Sequence, residues 1–143
     1  MPLIMVVDDE KYVRESFGKI LNKEGYDTKL AASGEEVLTL LDEVTPDLIL
    51  MDYKMPGIDG IETCRRIRNN NKTKSIPIIM VTAYPQEREP AFKAGADDFV
   101  TKPADPKDVL IHIKAVLRIQ ELTKELAKAK AYLEDLRKEY NEW

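Results

Sequence analysis

The chain has 143 residues, 34% of them charged, with 26 acidic against 22 basic side chains and a formal net charge of -4. That balance argues against a nucleic-acid surface of its own, and a single cysteine, Cys64, excludes an internal disulfide and fits a reducing compartment. The length suits one domain with a real core, or one slightly smaller domain plus an appendage, and the apolar run after Pro2 is too short for a signal peptide or a membrane span, which places the protein in the cytoplasm.

The chain alternates strand and helix signals. Leu3 to Val7 is an apolar run with β-branched members and ends abruptly in Asp8-Asp9-Glu10. Val13, Phe17, Ile20 and Leu21 then share one helical stripe, which Gly25 terminates. Tyr26 to Ala32 reads as a more polar strand, hence an edge strand. Ser33-Gly34-Glu35-Glu36 has the capping-box spacing, and Val37, Leu38, Leu41 and Val44 continue that helix. Leu48 to Met51 is a strand buried on both faces, bounded by Pro46 and by Pro56-Gly57. Asp59 to Asn69 is helical with Ile61, Cys64 and Ile67 inward, and Cys64 reads as a small core residue rather than a redox group. Pro77 to Val81 is a fourth buried strand ending in Thr82-Ala83. A short helix from Pro85 to Ala94 closes at Gly95, and Asp98 to Thr101 is a fifth strand before Lys102-Pro103. Five βα units of about 20 residues predict an α/β fold with a parallel sheet and helices on both faces.

The polar residues at the strand ends carry the chemistry. In a parallel sheet the carboxyl ends share one edge, where ligands bind. That edge receives Asp8 and Asp9 from the first strand, Asp52 from the third, Thr82 from the fourth and Lys102 from the fifth. Three carboxylates there repel one another unless a cation compensates, and hard oxygen ligands with room for water and phosphate suit Mg²⁺. A carboxylate can act as a nucleophile toward phosphorus, with the cation and an ammonium group stabilising the transferring charge. An Asp after a strand often only caps a turn. Five residues of the right type at the right strand ends outweigh that reading.

These residues identify a resemblance to the receiver domain of two-component response regulators over about Leu3 to Leu117. It rests on Asp8-Asp9, Asp52 with Met55-Pro56-Gly57 and Asp59-Gly60, Thr82-Ala83, Gly95-Ala96 and Lys102-Pro103. The resemblance implies a flavodoxin-like (βα)5 fold with strand order 2-1-3-4-5, and phosphorylation of Asp52 by the phosphohistidine of a histidine kinase. It implies Mg²⁺ (or Mn²⁺) held by Asp9, Asp52 and the backbone carbonyl of Lys54, with Asp8 acting through water. It also implies a Lys102 contact to the phosphoryl group, a cis Lys102-Pro103 bond, and a switch pair of Thr82 and Phe99. Phe99 stands where a tyrosine is common, so the hydrogen bond of a tyrosine hydroxyl is lost. Lys54 and Tyr84 occupy the two positions that tune phosphoryl lifetime in this family, with the sign left open.

Beyond Pro106 nothing breaks a helix, and residues 107–143 would span about 55 Å at about 1.5 Å per residue. Val109, Leu110, Ile113, Val116 and Leu117 should pack on the sheet. Residues 118–143 then form a second region, continuous with the receiver portion 1–117. In it Ile119, Leu126, Leu133 and Tyr140 fall at heptad position a, with Leu122, Ala129, Leu136 and Trp143 at d. That is the seam of a parallel homodimeric coiled coil, with Glu125 facing Lys130 of the other chain, unless the helix folds back on its own domain. Six acidic and six basic side chains in this region make it no basic DNA-binding arm. His112 reads as a surface or half-buried helix residue, not a phosphoacceptor.

The expected function is a phosphorylation-controlled switch acting on dimer geometry and an output, without turnover of a separate substrate. The alternative is a coiled-coil adaptor in which phosphorylation is incidental. A phosphatase with an aspartyl nucleophile fits less well, because haloacid dehalogenase-like enzymes want D-x-D after the first strand and this chain has adjacent aspartates.

Overall fold

A computed structural model of the chain describes residues 1–142, so the seam position assigned to Trp143 lies outside the described residues. Five strands, β1 (Leu3–Val7), β2 (Asp27–Ala31), β3 (Leu48–Asp52), β4 (Ile78–Thr82) and β5 (Asp98–Thr101), form one parallel sheet in the order β2-β1-β3-β4-β5. The helices between them are α1 (Lys11–Lys23), α2 (Gly34–Leu40), α3 (Gly60–Arg68) and α4 (Arg88–Ala94), and α5 (Pro106–Asn141) follows β5. This is the expected flavodoxin-like arrangement.

The alternation of side chains along each strand sorts the core into two layers. Met5, Val7, Ile49, Met51, Ile78 and Met80 face one side, where Val37 of α2, Ile61, Cys64 and Ile67 of α3, and Ala91 of α4 cover them. Ile4, Val6, Leu48, Leu50, Ile79 and Val81 face the other, against Leu21 of α1 and Val109, Ile113 and Val116 of α5. Strands covered on both faces must be apolar throughout, which is why β1, β3 and β4 read as unbroken hydrophobic runs. Strand β2, at the edge, alternates instead.

Three local expectations need correction. Helix α2 ends at Leu40, short of Val44, because the chain tightens there: Asp42 N–H bonds to Thr39 O and Glu43 N–H to Leu40 O, three residues back. Val44 still packs against the core, from outside the helix. The capping box is also offset. Ser33 Oγ accepts from Glu36 N–H at 3.1 Å, but the Glu36 carboxylate takes the N–H of Ala32 rather than that of Ser33. The segment expected as one helix from Pro85 begins as a 3₁₀ turn over Pro85–Glu87 before α4. Gly95 then closes α4 at φ +110°, a conformation only glycine adopts cheaply.

Candidate functional site

The parallel register brings the strand ends to one edge. Asp52 pairs with Val81 across β3 and β4, so Thr82 stands one residue beyond it, and Thr101 pairs with Thr82, so Lys102 follows one residue further along the same edge. Backbone hydrogen bonds hold the ends in place: Lys102 N–H donates to Thr82 O at 2.7 Å and Asp8 N–H to Ala31 O at 3.2 Å. The side chains line a cleft of about 520 Å³ that includes Asp9, Asp52, Lys54, Thr82, Tyr84 and Lys102. A shallower depression of about 620 Å³ beside Phe92 on α4 lies away from the strand ends and collects none of these groups.

Within the cleft, carboxylate oxygens of Asp8, Asp9 and Asp52 all lie within 4.8 Å of one another. Asp8 and Asp52 are nearly enclosed, their side chains 7% and 12% exposed, whereas Asp9 faces solvent. Lys102 Nζ sits between the two buried acids, 3.2 Å from Asp8 Oδ2 and 3.4 Å from Asp52 Oδ1. Asp8 is fixed further by Glu10 N–H, which donates to its Oδ1 at 2.9 Å, and by Arg14, whose guanidinium holds its main-chain carbonyl at 2.8 Å.

Burial raises the Asp52 carboxyl to about 6. Lys102 opposes the shift while Asp8 and Asp9 add to it. For Lys102 burial works downward, but the carboxylates of Asp52 and Asp8 outweigh it and raise the ammonium further. One ammonium therefore leaves three clustered carboxylates incompletely compensated. All the converging donors are hard oxygens, and the mouth is open to water, which is the donor set a small divalent cation such as Mg²⁺ requires. The residues present fit that ion.

The loop after β3 is shaped by three contacts. Gly60 N–H donates to Tyr53 O at 2.7 Å, Asp59 caps α3 by accepting Glu62 N–H at 2.8 Å, and Glu35 of α2 accepts Ile58 N–H at 2.9 Å. Thr82 is buried, and its Oγ1 accepts from Tyr84 N–H at 3.1 Å. Tyr84 leans back over the cleft, its hydroxyl 3.2 Å from Lys54 Nζ and its ring edge-on to Tyr53. Phe99 packs half-buried against the α3 and α4 side of the core, with its ring 6.5 Å from that of Phe92. It is thus a core ring on β5, beyond the cleft wall.

Four of the five expected strand-end residues, Asp9, Asp52, Thr82 and Lys102, line this cleft, and the fifth, Asp8, joins them from behind through Lys102. Arg14, Glu35 and Tyr53 were not foreseen. Arg14 bonds to a carbonyl six residues back and Glu35 to an N–H 23 residues on, and main-chain groups leave no signature in sequence, while Tyr53 follows Asp52 directly and its aromatic neighbour Tyr84 is 31 residues away. His112 is half-buried and pairs through Nδ1 with Asp98, away from the cleft.

The sequence profile described as "Response regulator receiver domain" matches residues 4–114. The chain is 44% identical over 117 residues to the transcriptional regulatory protein ResD of Bacillus subtilis, covering 80% of this chain and 48% of ResD. It thus spans about half the length of curated relatives it matches. Among solved structures, a CheY-like response regulator receiver domain protein from Methanospirillum hungatei superposes with a TM-score of 0.81 at 32% identity, over 86% of this chain and 98% of that one. The response regulator protein TrrA of Thermotoga maritima, solved in complex with Mg²⁺ and BeF, gives a TM-score of 0.73 at 37% identity, over 80% and 98%.

Proposed function

This chain belongs to the response regulator receiver domain family, and from that premise we propose that Asp52 is its phosphoacceptor and a histidine kinase its phosphoryl donor. The observation that carries the reading is the enclosed Asp52 carboxylate at the end of β3, with the Lys102 ammonium 3.4 Å away and two further acids beside it.

In the proposed transfer an Asp52 carboxylate oxygen forms a bond to phosphorus while the bond from phosphorus to the kinase imidazole nitrogen breaks, and the electron pair leaves with the histidine. Asp9, Asp52 and the Lys54 carbonyl would hold Mg²⁺, or Mn²⁺, directly, with Asp8 contributing through water. The bound cation supplies positive charge to the transferring oxygens. TrrA, solved in complex with Mg²⁺, supports a divalent cation as the ion.

Lys102, released from its bridge between Asp8 and Asp52, would pair with the new phosphoryl group. Thr82 is within the same cleft and would turn its hydroxyl to that group, leaving Tyr84 N–H. Phe99 would follow by repacking on the core beside Phe92. That movement reshapes the surface made by α4, β5 and the start of α5, and α5 carries it out of the domain. The chain would act as a stoichiometric acceptor that loses its phosphoryl group to water, and not as an enzyme with a separate substrate. ResD is a transcriptional regulatory protein. Here the balanced charges of residues 118–142 favour control of a protein output over direct nucleic-acid contact.

The test is intact mass after incubation with acetyl phosphate and Mg²⁺. One added phosphoryl group on the wild-type chain and none on Asp52→Asn is the expected result. Equal labelling of both proteins, or none of either while Mg²⁺ binds, would overturn the assignment.

A further inference from the structure

Helix α5 has two apolar faces. The first, Val109, Ile113 and Val116, is buried against the sheet. The second lies roughly a third of a turn around the helix and faces solvent. It starts beside the domain at Ile111, which is 65% exposed, and Ala115. From Ile119 to Tyr140 it continues in alternating steps of three and four. Leu126 and Leu133 on this stripe are 56% and 62% exposed. The helix leaves the domain at a fixed point, where Gln120 donates to the carbonyl of Ser75 at 3.3 Å, and every described residue after Gln120 is exposed. The fold-back alternative is therefore not the arrangement of this helix.

A helix projecting alone for about six turns has no tertiary packing to sustain it, whereas in proteins most helical stability comes from packing of an apolar face. The charges beside the stripe say what covers it. With Ile119 at a, Glu125 falls at g and Lys130 at e. In a parallel pair each Glu125 meets Lys130 of the second copy, twice by symmetry, and Tyr132 at g lies against Arg137 at e. In the antiparallel pair of full overlap, Glu125 would instead face the second copy's Glu139, and Lys130 would face the second copy's Lys130. Both contacts are repulsive. The flanking charges thus select both the occupant and its direction.

We propose that the exposed stripe of α5 is the seam of a parallel two-stranded coiled coil with a second copy of this chain, and that the seam climbs onto the domain's own α5 at Ala115, flanked by Ile111. Because Val109, Ile113 and Val116 point elsewhere, the second copy docks without disturbing the core. The interface forms whether or not Asp52 carries a phosphoryl group.

The test is the mass of the full chain in solution, by light scattering and sedimentation, with no phosphodonor present. A dimer is expected for the wild type, and a monomer with unchanged near-ultraviolet dichroism for the Leu126→Glu, Leu133→Glu variant. Oxidised Leu122→Cys should cross-link to itself, since only the parallel seam places position 122 opposite position 122. Glu125→Lys should weaken the dimer about tenfold, and adding Lys130→Glu should restore it. Ile111→Glu should weaken it severalfold. A monomeric wild type, a dimer indifferent to the two leucine substitutions, or an absence of Leu122→Cys cross-linking would overturn the proposal. Indifference to Ile111→Glu would confine the seam to the segment beyond the domain.

Discussion

Lys102 Nζ stands 3.4 Å from Asp52 Oδ1, yet the Asp52 carboxyl is raised, not lowered, to about 6. Burial and two neighbouring acids outweigh the ammonium. The folded state therefore holds a proton on Asp52 that the unfolded chain, near 3.8, has already released. Between about pH 4 and 6 the native state binds more protons, so this group's contribution to stability falls as pH rises through that window. About 2 pKa units correspond to about 3 kcal/mol at most. In metal-free buffer Asp52→Asn should be more stable than wild type at pH 7, with the gap closing toward pH 4 in urea melts. Mg²⁺ should narrow the gap at pH 7 by stabilising wild type. A variant equal to or weaker than wild type at every pH would contradict this electrostatic account.

Tyr84 and Lys54 join across the cleft mouth through a 3.2 Å contact, and Tyr53 braces the Tyr84 ring. This rim borders one side of the approach to an acyl phosphate on Asp52. Tyr84→Ala removes the ring and frees the lysine. The phosphorylated variant should lose its phosphoryl group severalfold faster than wild type, followed by intact mass after donor removal. An unchanged or longer lifetime would show that the rim does not limit water.

The sheet and the site were legible because both obey short-range rules. Strands buried on two faces leave unbroken apolar runs, and the acids at Asp8, Asp9 and Asp52 mark where those runs reach the ligand edge. The extent of α2 was not legible, because Leu41 and Val44 keep the helical spacing although the chain has already turned. Glu36 likewise kept its capping-box position but bonds one residue earlier. The contacts of Arg68 were hidden for another reason: its partners include the carbonyl of Gly95, 27 residues away, and main-chain oxygens have no signature in sequence. The second apolar stripe of α5 was legible as a pattern, whereas its exposure and its separation from the buried face needed the burial of each position.

Arg68 is a prediction that only the structure offers. Its guanidinium donates to Gly95 O at 2.9 Å, Ile76 O at 2.6 Å and Lys74 O at 3.0 Å, and pairs with Asp97 at 2.9 Å. It thereby ties the end of α3 to the C-cap of α4 and to the start of β4. Arg68→Ala should cost about 2 kcal/mol or more in urea unfolding, since several acceptors lose a charged donor together. Lysine cannot reproduce the planar fork, so Arg68→Lys should recover little. Full recovery by lysine would mean that charge alone matters there.

Gly60 links the fold to the site. A Cβ at this position would lie 2.4 Å from the carbonyl oxygen of Asp52 and 2.8 Å from Met80 Sδ. The nearer atom is backbone, so the end of β3 itself must move to admit a methyl group. Gly60→Ala should lower stability by about 1–3 kcal/mol, in the range for overpacking a tight interior. It should also slow phosphorylation by acetyl phosphate, because displacing the Asp52 main chain displaces its carboxylate from Lys102. Gly18→Ala in α1 is the contrasting case. There the added methyl meets the flexible end of Leu30 at 3.2 Å, and alanine is the better helix former. That variant should be near neutral in stability and phosphorylate at the wild-type rate. If Gly60→Ala matched it in both measurements, β3 would have more freedom at Asp52 than this packing allows.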